Sequence, residues 1–391
     1  MKITKIESDV LLDPDYDRDA CSSAQDDIVV QIHTDEGIVG IGEVDTNPWV
    51  AQAMIHARGT HIIGLGLEEM LIGEDPLNTE ALWDKLYTGS FMNGRRGLGI
   101  CAIGALDMAL WDIRGKALGL PCWKLLGGAA KEAVTPYASL LPGKGDTVEI
   151  YRDSLVEKAK EAKRYGFRAG KMEVCVNGPY THNRLQEPDE AIVEIVAACR
   201  EAVGEDFTMM VDVCYCWSNA KQALRIIKQL EPYNLFFLET PLQLDDLEGY
   251  AFLHDHSPIR IAAGELQSTR FEFLDLLDRG KLDVVQPDVG RVGGLTEARR
   301  VSNLAADRGR LMVPHCWKTA IGIAASVHLG VTASHCPYVE FLPASLSESP
   351  LRADLVKKDF TFVDGQIPLP QSPGLGIELD EEAMERFRVK E

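Results

Sequence analysis

The chain between Val134 and Phe341 alternates eight short apolar runs with amphipathic helical segments. In order, the runs are TPYASLL, AGKMEV, TMMVDV, LFFLET, IRIAAGE, KLDVVQP, RLMVPH and YVEF. Nearly continuous apolar strands joined by helical crossovers are typical of a parallel sheet that is covered on both faces. Eight such strands in roughly 220 residues favour a closed barrel over an open sheet. Because the segment SPLRADLVKKDF after the last run holds little helical periodicity, we predict a modified (β/α)7β TIM-like barrel.

The residues before this alternation follow a different pattern. The segments ITKIESDVLL, DIVVQIHTDEG and IVGIGEV carry strand signals, and the turn residues DEG favour an antiparallel sheet. Helical patterns follow, and CAIGALDMALWDIRGKALG is apolar on nearly every face, which is typical of a buried helix. We therefore predict an α+β domain over residues 1–132, the barrel over 133–360, and a tail over 361–391 that returns to the first domain.

Charge and composition exclude several classes of protein. The chain carries 40 Lys and Arg against 60 Asp and Glu, a formal net charge of −20. A nucleic-acid binder needs a basic face to replace the counterions on phosphate, so we predict no nucleic-acid partner. No apolar run approaches the length of about 18 residues that spans a membrane, so we predict no membrane association. The nine cysteines are scattered, odd in number and free of CxxC motifs, which favours a reduced, cytoplasmic protein with mostly structural thiols.

Charged or polar side chains end most of the predicted barrel strands. They are Lys171, Glu173, Asp212, Glu239, Glu265, Asp288, His315 and Glu340. From Asp212 onward they recur every 23 to 27 residues, about one βα unit. The carboxyl ends of barrel strands face the active site, and charges among apolar neighbours are costly unless they are paired or metal-bound. The spacing therefore predicts a functional site at this mouth of the barrel.

Three carboxylates fall on adjacent strands, namely Asp212, Glu239 and Glu265. Together they are a set of hard oxygen ligands, with water or substrate completing the coordination. Such a set suits Mg²⁺ best among the common ions, and Mn²⁺ is a possible substitute. The nearby Cys-Tyr-Cys and His-Cys sequences are weaker signals for a soft metal.

The next two strands end in Asp288 and His315. A carboxylate that holds one nitrogen of an imidazole fixes its tautomer and makes the other nitrogen a better base. On the second strand, Lys171 and Glu173 are two residues apart and therefore share a face. We expect Lys171, with a lowered pKa, to neutralise a substrate carboxylate or to move a proton.

The segment Ala105-Leu106-Asp107-Met108-Ala109-Leu110-Trp111-Asp112-Ile113, with Lys116 and Leu125-Leu126-Gly127-Gly128, resembles the capping-domain signature of the mandelate racemase branch of the enolase superfamily. The residues at the strand ends agree with that family in order and spacing. The resemblance implies a capping domain closed over a modified barrel, and Mg²⁺ on the three carboxylates. It also implies that His315, supported by Asp288, removes the proton α to a carboxylate. By the same resemblance, Glu340 stabilises the enediolate.

One position departs from the family pattern, which has Lys-x-Lys on the second strand where this chain has Lys171-Met172-Glu173. If Glu173 is ionised, the pair can neutralise itself and leave His315 as the only strong base. A racemase needs proton carriers on both faces of its substrate, so the departure weakens a racemase more than a dehydratase. We therefore predict an acid-sugar dehydratase that gives a 2-keto-3-deoxy product, in which Glu173 or Lys171 can share the proton transfers.

Three alternatives remain open. The first is a cycloisomerase of an anhydro- or lactone-type sugar acid, the second a racemase or epimerase, and the third a non-catalytic enolase-like binding protein. Polar and aromatic residues of the capping domain and of the loops that follow the strands suit a hydroxyl-rich substrate. The candidate substrate contacts are Asn47, Trp49, Tyr180, His182 and Trp317. The family resemblance also implies a homo-oligomer, either a dimer or an octamer.

Overall fold

The computed structural model describes residues 1–18, 22 and 24–390. It begins with three antiparallel strands, β1 (Ile3–Leu12), β2 (Asp26–Thr34) and β3 (Val39–Glu43), in the order β1-β2-β3. Gly37 takes a positive φ of 77° in the turn between β2 and β3, a conformation that glycine adopts without steric cost. The antiparallel sheet predicted for the N-terminal region is therefore present.

Six helices follow the small sheet. They are α1 (Pro48–His56), α2 (Leu67–Leu71), α3 (Thr79–Gly89), α4 (Phe91–Gly94), α5 (Leu98–Leu118) and α6 (Cys122–Leu125). The long helix α5 is buried along most of its length and packs on β3. A Cβ at Gly42 would lie 2.1 Å from the carbonyl oxygen of Ala105, so glycine is what permits this close approach.

The barrel consists of eight parallel strands. They are β5 (Pro136–Leu140), β6 (Ala169–Glu173), β7 (Thr208–Asp212), β8 (Leu235–Glu239), β9 (Ile261–Ala263), β10 (Val284–Val285), β11 (Leu311–Met312) and β12 (Val339–Phe341). Their order in the sheet is β11-β10-β9-β8-β7-β6-β5-β12. The two ends of this sheet meet where the Glu340 amide donates to the Pro314 carbonyl oxygen at 3.4 Å. All eight predicted strands are confirmed.

Helices connect successive strands around the outside. They are α7 (Val148–Arg164), α8 (Glu190–Val203), α9 (Ala220–Leu230), α10 (Leu247–His256), α11 (Thr269–Asp278), α12 (Val289–Val292), α13 (Gly294–Asp307) and α14 (Ala320–Thr332). In the place of the eighth barrel helix, directly after β12, the chain forms the five-residue α15 (Pro350–Asp354), in agreement with the predicted degenerate last repeat. No helix in the described part of the chain is long and apolar enough to cross a membrane.

The C-terminal tail runs back along the molecule. The strand β4 (Ala133–Val134) pairs with β13 (Ile367–Pro368), and the last helix is α16 (Glu381–Phe387). Beyond α16, Arg388 forms an ion pair with Asp9 of β1, with Nε 2.8 Å from Oδ1. The tail therefore contacts the N-terminal sheet, and the exact domain boundaries at 132 and 360 stay predictions.

The inside of the barrel is filled by a layer of apolar side chains. Its seven buried members each come from a different strand or strand end. They are Tyr137, Ala169, Met210, Phe237, Ala262, Val284 and Val313. The polar residues at the carboxyl ends of the strands border this layer at the mouth of the barrel, where active sites of such barrels lie.

Candidate active site

Three carboxylates lie at the ends of consecutive strands on one side of the barrel mouth. Asp212 and Glu239 are the last residues of β7 and β8 and lie side by side in the sheet, and Glu265 follows β9 by two residues. Burial raises the pKa of Asp212 and of Glu239, and the charge of Glu239 raises that of Asp212 further. Buried carboxylates that repel one another in this way are suited to a divalent cation, which favours their charged forms.

Two cationic side chains lie among these carboxylates. Lys171 Nζ is 2.7 Å from Glu239 Oε1 and 3.8 Å from Asp212 Oδ2, and His315 Nε2 is 3.1 Å from Glu265 Oε2. Within the described residues, the ligand atoms of the three carboxylates do not all lie within 4.8 Å of one another. The ammonium of Lys171 and the imidazole of His315 thus balance negative charge of the carboxylates that a bound hard cation would also balance. Oxygen ligands of this kind fit Mg²⁺.

Lys171 is a buried counter-ion rather than a partner of Glu173. Besides its two contacts above, its Nζ lies 2.9 Å from Glu340 Oε1 and 5.7 Å from the ring centre of Tyr137. No ion pair joins Lys171 to Glu173 among the described residues, so the expected mutual neutralisation of these two side chains is wrong. Burial opposes the charged form, but the carboxylates raise the pKa of Lys171 well above its ordinary value, contrary to the expected decrease.

His315 and Asp288 form the predicted pair. His315 Nδ1 is 2.6 Å from Asp288 Oδ2, and Asp288 Oδ1 accepts from the Gly290 amide at 2.7 Å. Both side chains are buried, and the second imidazole nitrogen faces the barrel mouth, 3.8 Å from Glu340 Oε2. Burial alone would lower the pKa of His315, but the surrounding carboxylates raise it well above its ordinary value.

Glu340 ends up between the lysine and the histidine. It lies in β12, is fully buried, and accepts from the Ser139 hydroxyl at 2.6 Å and from the Cys316 amide at 2.8 Å. Burial raises its pKa, but the charges of Lys171 and His315, together with the hydrogen bonds, outweigh this effect and lower the net pKa of Glu340. A carboxylate held by three donors is rigid, which suits a group that must stay in place while charge develops beside it.

Glu173 forms a second carboxylate–histidine pair. It is the last residue of β6, and its Oε1 is 2.9 Å from Nε2 of the buried His182. His182 was predicted as a substrate contact, and its place beside Glu173 was not foreseen.

The cysteines next to this pair correct one expectation. Cys175 and Cys214 form a disulfide, so the prediction of reduced, mostly structural thiols is wrong for these two residues. The six cysteines from Cys101 onward that remain free are all buried, whereas Cys21 lies outside the described residues. The disulfide ties the loop after β6 to the loop after β7.

The remaining predicted substrate contacts lie at the rim or have structural partners. Asn47 is the N-cap of α1, where its side chain accepts from the Val50 amide at 3.1 Å, and its contact with the substrate stays a prediction. Trp317 is buried and its indole nitrogen donates to Ser22 at 3.2 Å. Tyr180 is exposed and its ring packs edge-on against Tyr215.

Two neighbouring cavities lie between the N-terminal region and the barrel rim. One, of about 380 Å³, is lined by acidic residues of the loop after β1, by Lys144 and Lys158, and by His182. The other, of about 390 Å³, is lined by the half-exposed Trp49 together with Tyr16 and Asp26. Asp212, Glu239 and Glu265 line neither of these two cavities, and His182, which contacts Glu173, lines the first.

Several site residues were missed by reasoning from the sequence. Gln286 donates to Glu239 Oε2 at 2.5 Å, the Tyr215 hydroxyl donates to Glu265 Oε1 at 2.5 Å, and Ser139 binds Glu340 as described above. The signal for Gln286 and Ser139 was present, since each is a polar residue inside an apolar strand run. Tyr215 lies in a loop and had no such signal.

Known proteins of one family are similar to this chain over most of its length. Residues 154–383 match the family described as "Enolase C-terminal domain-like". The chain is 33% identical to D-galactonate dehydratase of Cronobacter sakazakii, over 90% of this chain and 88% of that protein. It is 30% identical to D-galactarolactone cycloisomerase of Agrobacterium fabrum, over 93% and 91% of the two chains.

Solved structures agree with the sequence matches. The 3,6-anhydro-D-galactonate cycloisomerase from Zobellia galactanivorans superposes with a TM-score of 0.85 at 30% identity, covering 100% of both chains. A racemase from Streptomyces coelicolor with bound magnesium has a TM-score of 0.83 at 28% identity, covering 99% of this chain and 100% of that one. Residues 19–127 also match the N-terminal domain of the mandelate racemase / muconate lactonizing enzymes. The chain therefore belongs to the mandelate racemase / muconate lactonizing enzyme family of the enolase superfamily.

Proposed function

We propose that this protein is a Mg²⁺-dependent dehydratase of an acid sugar. The observation that carries the proposal is the buried His315–Asp288 pair, whose second imidazole nitrogen, Nε2, lies 3.1 Å from Glu265 at the same mouth as Asp212, Glu239 and Lys171. The relatives named as D-galactonate dehydratases support this chemistry. The sugar and its stereochemistry are left to experiment.

The metal would be held by Asp212, Glu239 and Glu265. When bound, it supplies positive charge that polarises the substrate carboxylate and makes the α-proton more acidic. Mn²⁺, which accepts the same oxygen ligands, is proposed as a substitute. Lys171 adds a fixed positive charge beside these groups, so an anionic substrate is attracted locally although the protein as a whole is acidic.

His315 is the proposed base. Asp288 accepts a hydrogen bond from Nδ1, which leaves Nε2 to take the α-proton. Lys171 then lies against the developing negative charge, held in place by Glu340, which is itself fixed by Ser139 and by the Cys316 amide. Loss of the β-hydroxyl as water and tautomerisation of the enol give a 2-keto-3-deoxy acid.

The test replaces His315 by Asn and measures both keto-acid formation and exchange of the α-proton in heavy water. We expect both rates to fall to background, since His315 is the proposed base and the ammonium of Lys171 is held by Glu239 and Glu340. His328→Asn is the matched control, because His328 is also fully buried but, in the described part of the chain, hydrogen-bonds to the backbone of Trp123 and Leu375 and not to a site residue. Turnover of the substrate by H315N near the wild-type rate would contradict the assignment.

Cycloisomerisation is the second candidate. It is favoured by the relative named D-galactarolactone cycloisomerase and by the anhydro-galactonate cycloisomerase structure, both of which match nearly the entire chain. It would use the same α-proton abstraction, with an internal oxygen as the leaving group. The mass of the product separates the two, because dehydration removes one water from the substrate and cycloisomerisation removes none.

Racemisation or epimerisation is less well supported, because the second lysine of the family pattern is Glu173 here. A non-catalytic binding protein would exchange no α-proton of any acid sugar in the presence of Mg²⁺. A homo-oligomer, a cytoplasmic location and the absence of a nucleic-acid or membrane partner stay predictions. They are tested by sedimentation, by cell fractionation and by direct binding measurements.

A further inference from the structure

We propose that Glu173 and His182 form a second proton-transfer pair, in which Glu173 delivers the proton to the departing β-hydroxyl and His182 holds Glu173 in position. This inference rests on the proposed dehydratase function and assigns a task to the residue that replaces the second lysine of the family. The pair lies across the barrel mouth from His315, because β6 and β11 are separated by β5 and β12 in the closed sheet.

The contacts of Glu173 leave one of its oxygens available. All the polar contacts of its side chain with the described residues end on Oε1, which is 2.9 Å from His182 Nε2 and 3.0 Å from Cys214 Sγ. Because Cys214 is in a disulfide, its sulfur has no hydrogen to donate. His182 is therefore the only hydrogen-bonding partner of this carboxyl group among the described residues. The side chain of Glu173 is 16% exposed, and Glu173 is the last residue of β6, whose carboxyl end borders the barrel mouth.

His182 is held firmly enough to orient a carboxyl group. Its side chain is 5% exposed, its backbone amide donates to the Cys175 carbonyl oxygen at 2.9 Å, and its ring packs beside that of Tyr151. The Tyr151 hydroxyl donates to the Glu173 carbonyl oxygen at 2.7 Å and accepts from the Cys175 amide at 2.9 Å. Tyr151 thus fixes the end of β6 and the start of the following loop together.

The two histidine–carboxylate pairs have opposite orders. On the side of β11 both members are buried, Asp288 holds Nδ1 of His315, and Nε2 of His315 lies beside the site carboxylates Glu265 and Glu340. On the side of β6 the imidazole of His182 is the buried member and the carboxyl group of Glu173 faces the mouth. An imidazole at the mouth suits proton abstraction, whereas a carboxyl group, when protonated, suits donation to a leaving oxygen.

The cavity beside the pair places it on a route to solvent. His182 lines the cavity of about 380 Å³ between the loop after β1 and the barrel rim. A proton lost from Glu173 in one turnover can therefore be replaced from water through His182. Lys171 cannot take this role, because its ammonium is held by Asp212, Glu239 and Glu340.

The proposed step balances as follows. The α C–H bond breaks and its proton goes to His315 Nε2, while the electron pair enters the enediolate. The β C–O bond then breaks, and the leaving hydroxyl takes the proton from the Glu173 carboxyl group and departs as water. His315 returns one proton to solvent, Glu173 regains one, and the enol tautomerises to the keto acid. No oxidant or further reactant is needed.

The experiment separates α-proton exchange from elimination in heavy water, using Mg²⁺ and whichever acid sugar the wild-type protein dehydrates. For Glu173→Gln we expect elimination to fall by about 10²- to 10⁴-fold, the usual contribution of a general acid, with exchange kept within about threefold. H315N loses both reactions. His254→Gln is the matched control. His254 forms a similar pair, with its Nδ1 2.9 Å from Asp283 Oδ1, and this pair lies away from the barrel mouth.

Two variants of His182 test its positioning role. His182→Gln keeps an N–H donor and His182→Leu does not, so we expect H182Q to eliminate at least about tenfold faster than H182L at similar thermal stability. Elimination that is unchanged in E173Q, or that falls in parallel with exchange, would overturn the proposal and leave the dehydratase function intact. Wild-type protein that neither exchanges nor eliminates any acid sugar would overturn the function and the second pair together.

Discussion

Replacing Asp288 by Asn should disable His315 without removing it. Asp288 accepts two hydrogen bonds, from the Gly290 amide at Oδ1 and from His315 Nδ1 at Oδ2. An asparagine must keep its oxygen toward the Gly290 amide, because turning it round would set two N–H donors against each other at a cost of about 1–3 kcal/mol. The amide nitrogen then faces His315 Nδ1 and donates to it.

This contact forces the wrong tautomer. With Nδ1 accepting, the ring hydrogen moves to Nε2, where Glu265 Oε2 at 3.1 Å is ready to accept it. Nε2 can then no longer take a proton from the substrate. The same Asp-to-Asn substitution in serine proteases lowers kcat by about 10⁴-fold. We expect a loss of similar size here, which corresponds to an activation free energy raised by about 5 kcal/mol.

Keto-acid formation and α-proton exchange are the assays, and Asp107→Asn is the control. Asp107 is equally buried and accepts two hydrogen bonds from Thr296, but it lies on α5 and touches no site residue described above. We expect D107N to keep wild-type activity even if its stability falls. A D288N protein with kcat/KM within tenfold of wild type would refute the tautomer argument.

Three other perturbations have defined outcomes. Lys171→Met should lower the free energy of unfolding in urea by about 3–5 kcal/mol, since it leaves the buried Glu239 and Glu340 without their counter-ion. Saturating Mg²⁺, at about 100 times its Kd, should raise the free energy of unfolding by about 2.7 kcal/mol, and Glu239→Gln should reduce that gain. Chelation should abolish turnover, and Mn²⁺ should restore it. Burial lowers the pKa of His328 from 6.5 to about 4, so its contribution to stability is complete above about pH 6.5 and is lost as the pH falls toward 4. The loss should amount to about 3 kcal/mol, and His328→Asn should remove it from the pH dependence of urea unfolding.

The sequence predicts the barrel because its strands are buried on both faces and therefore stand out as apolar runs. Asp212 and Glu239 could be placed for a related reason, since a charged residue at the end of such a run must lie at the shared edge of a parallel sheet. The capping helix α5 was also recognisable. Asp107 and Trp111 of its signature bind Thr296 of the barrel, which attaches the N-terminal domain to α13.

What escaped prediction depends on contacts between distant segments. The pairing of Cys175 with Cys214 and the bond between Glu173 and His182 are set by how the loops after β6 and β7 fold against each other. The capping of α1 by Asn47 has a signal in the sequence, because Asn followed by Pro is a common start of a helix. The pKa of Lys171 was expected to be lowered, but the charges of the three surrounding carboxylates raise it more than burial lowers it.

The most direct test of the account is a proton NMR measurement in heavy water on the purified protein with Mg²⁺ and a panel of acid sugars. The account predicts that at least one sugar loses its α-proton signal and gives a keto acid lighter than the substrate by one water. It also predicts that H315N gives neither change. A product of unchanged mass would point to cycloisomerisation instead, and turnover without any loss or exchange of the α-proton would contradict the central claim.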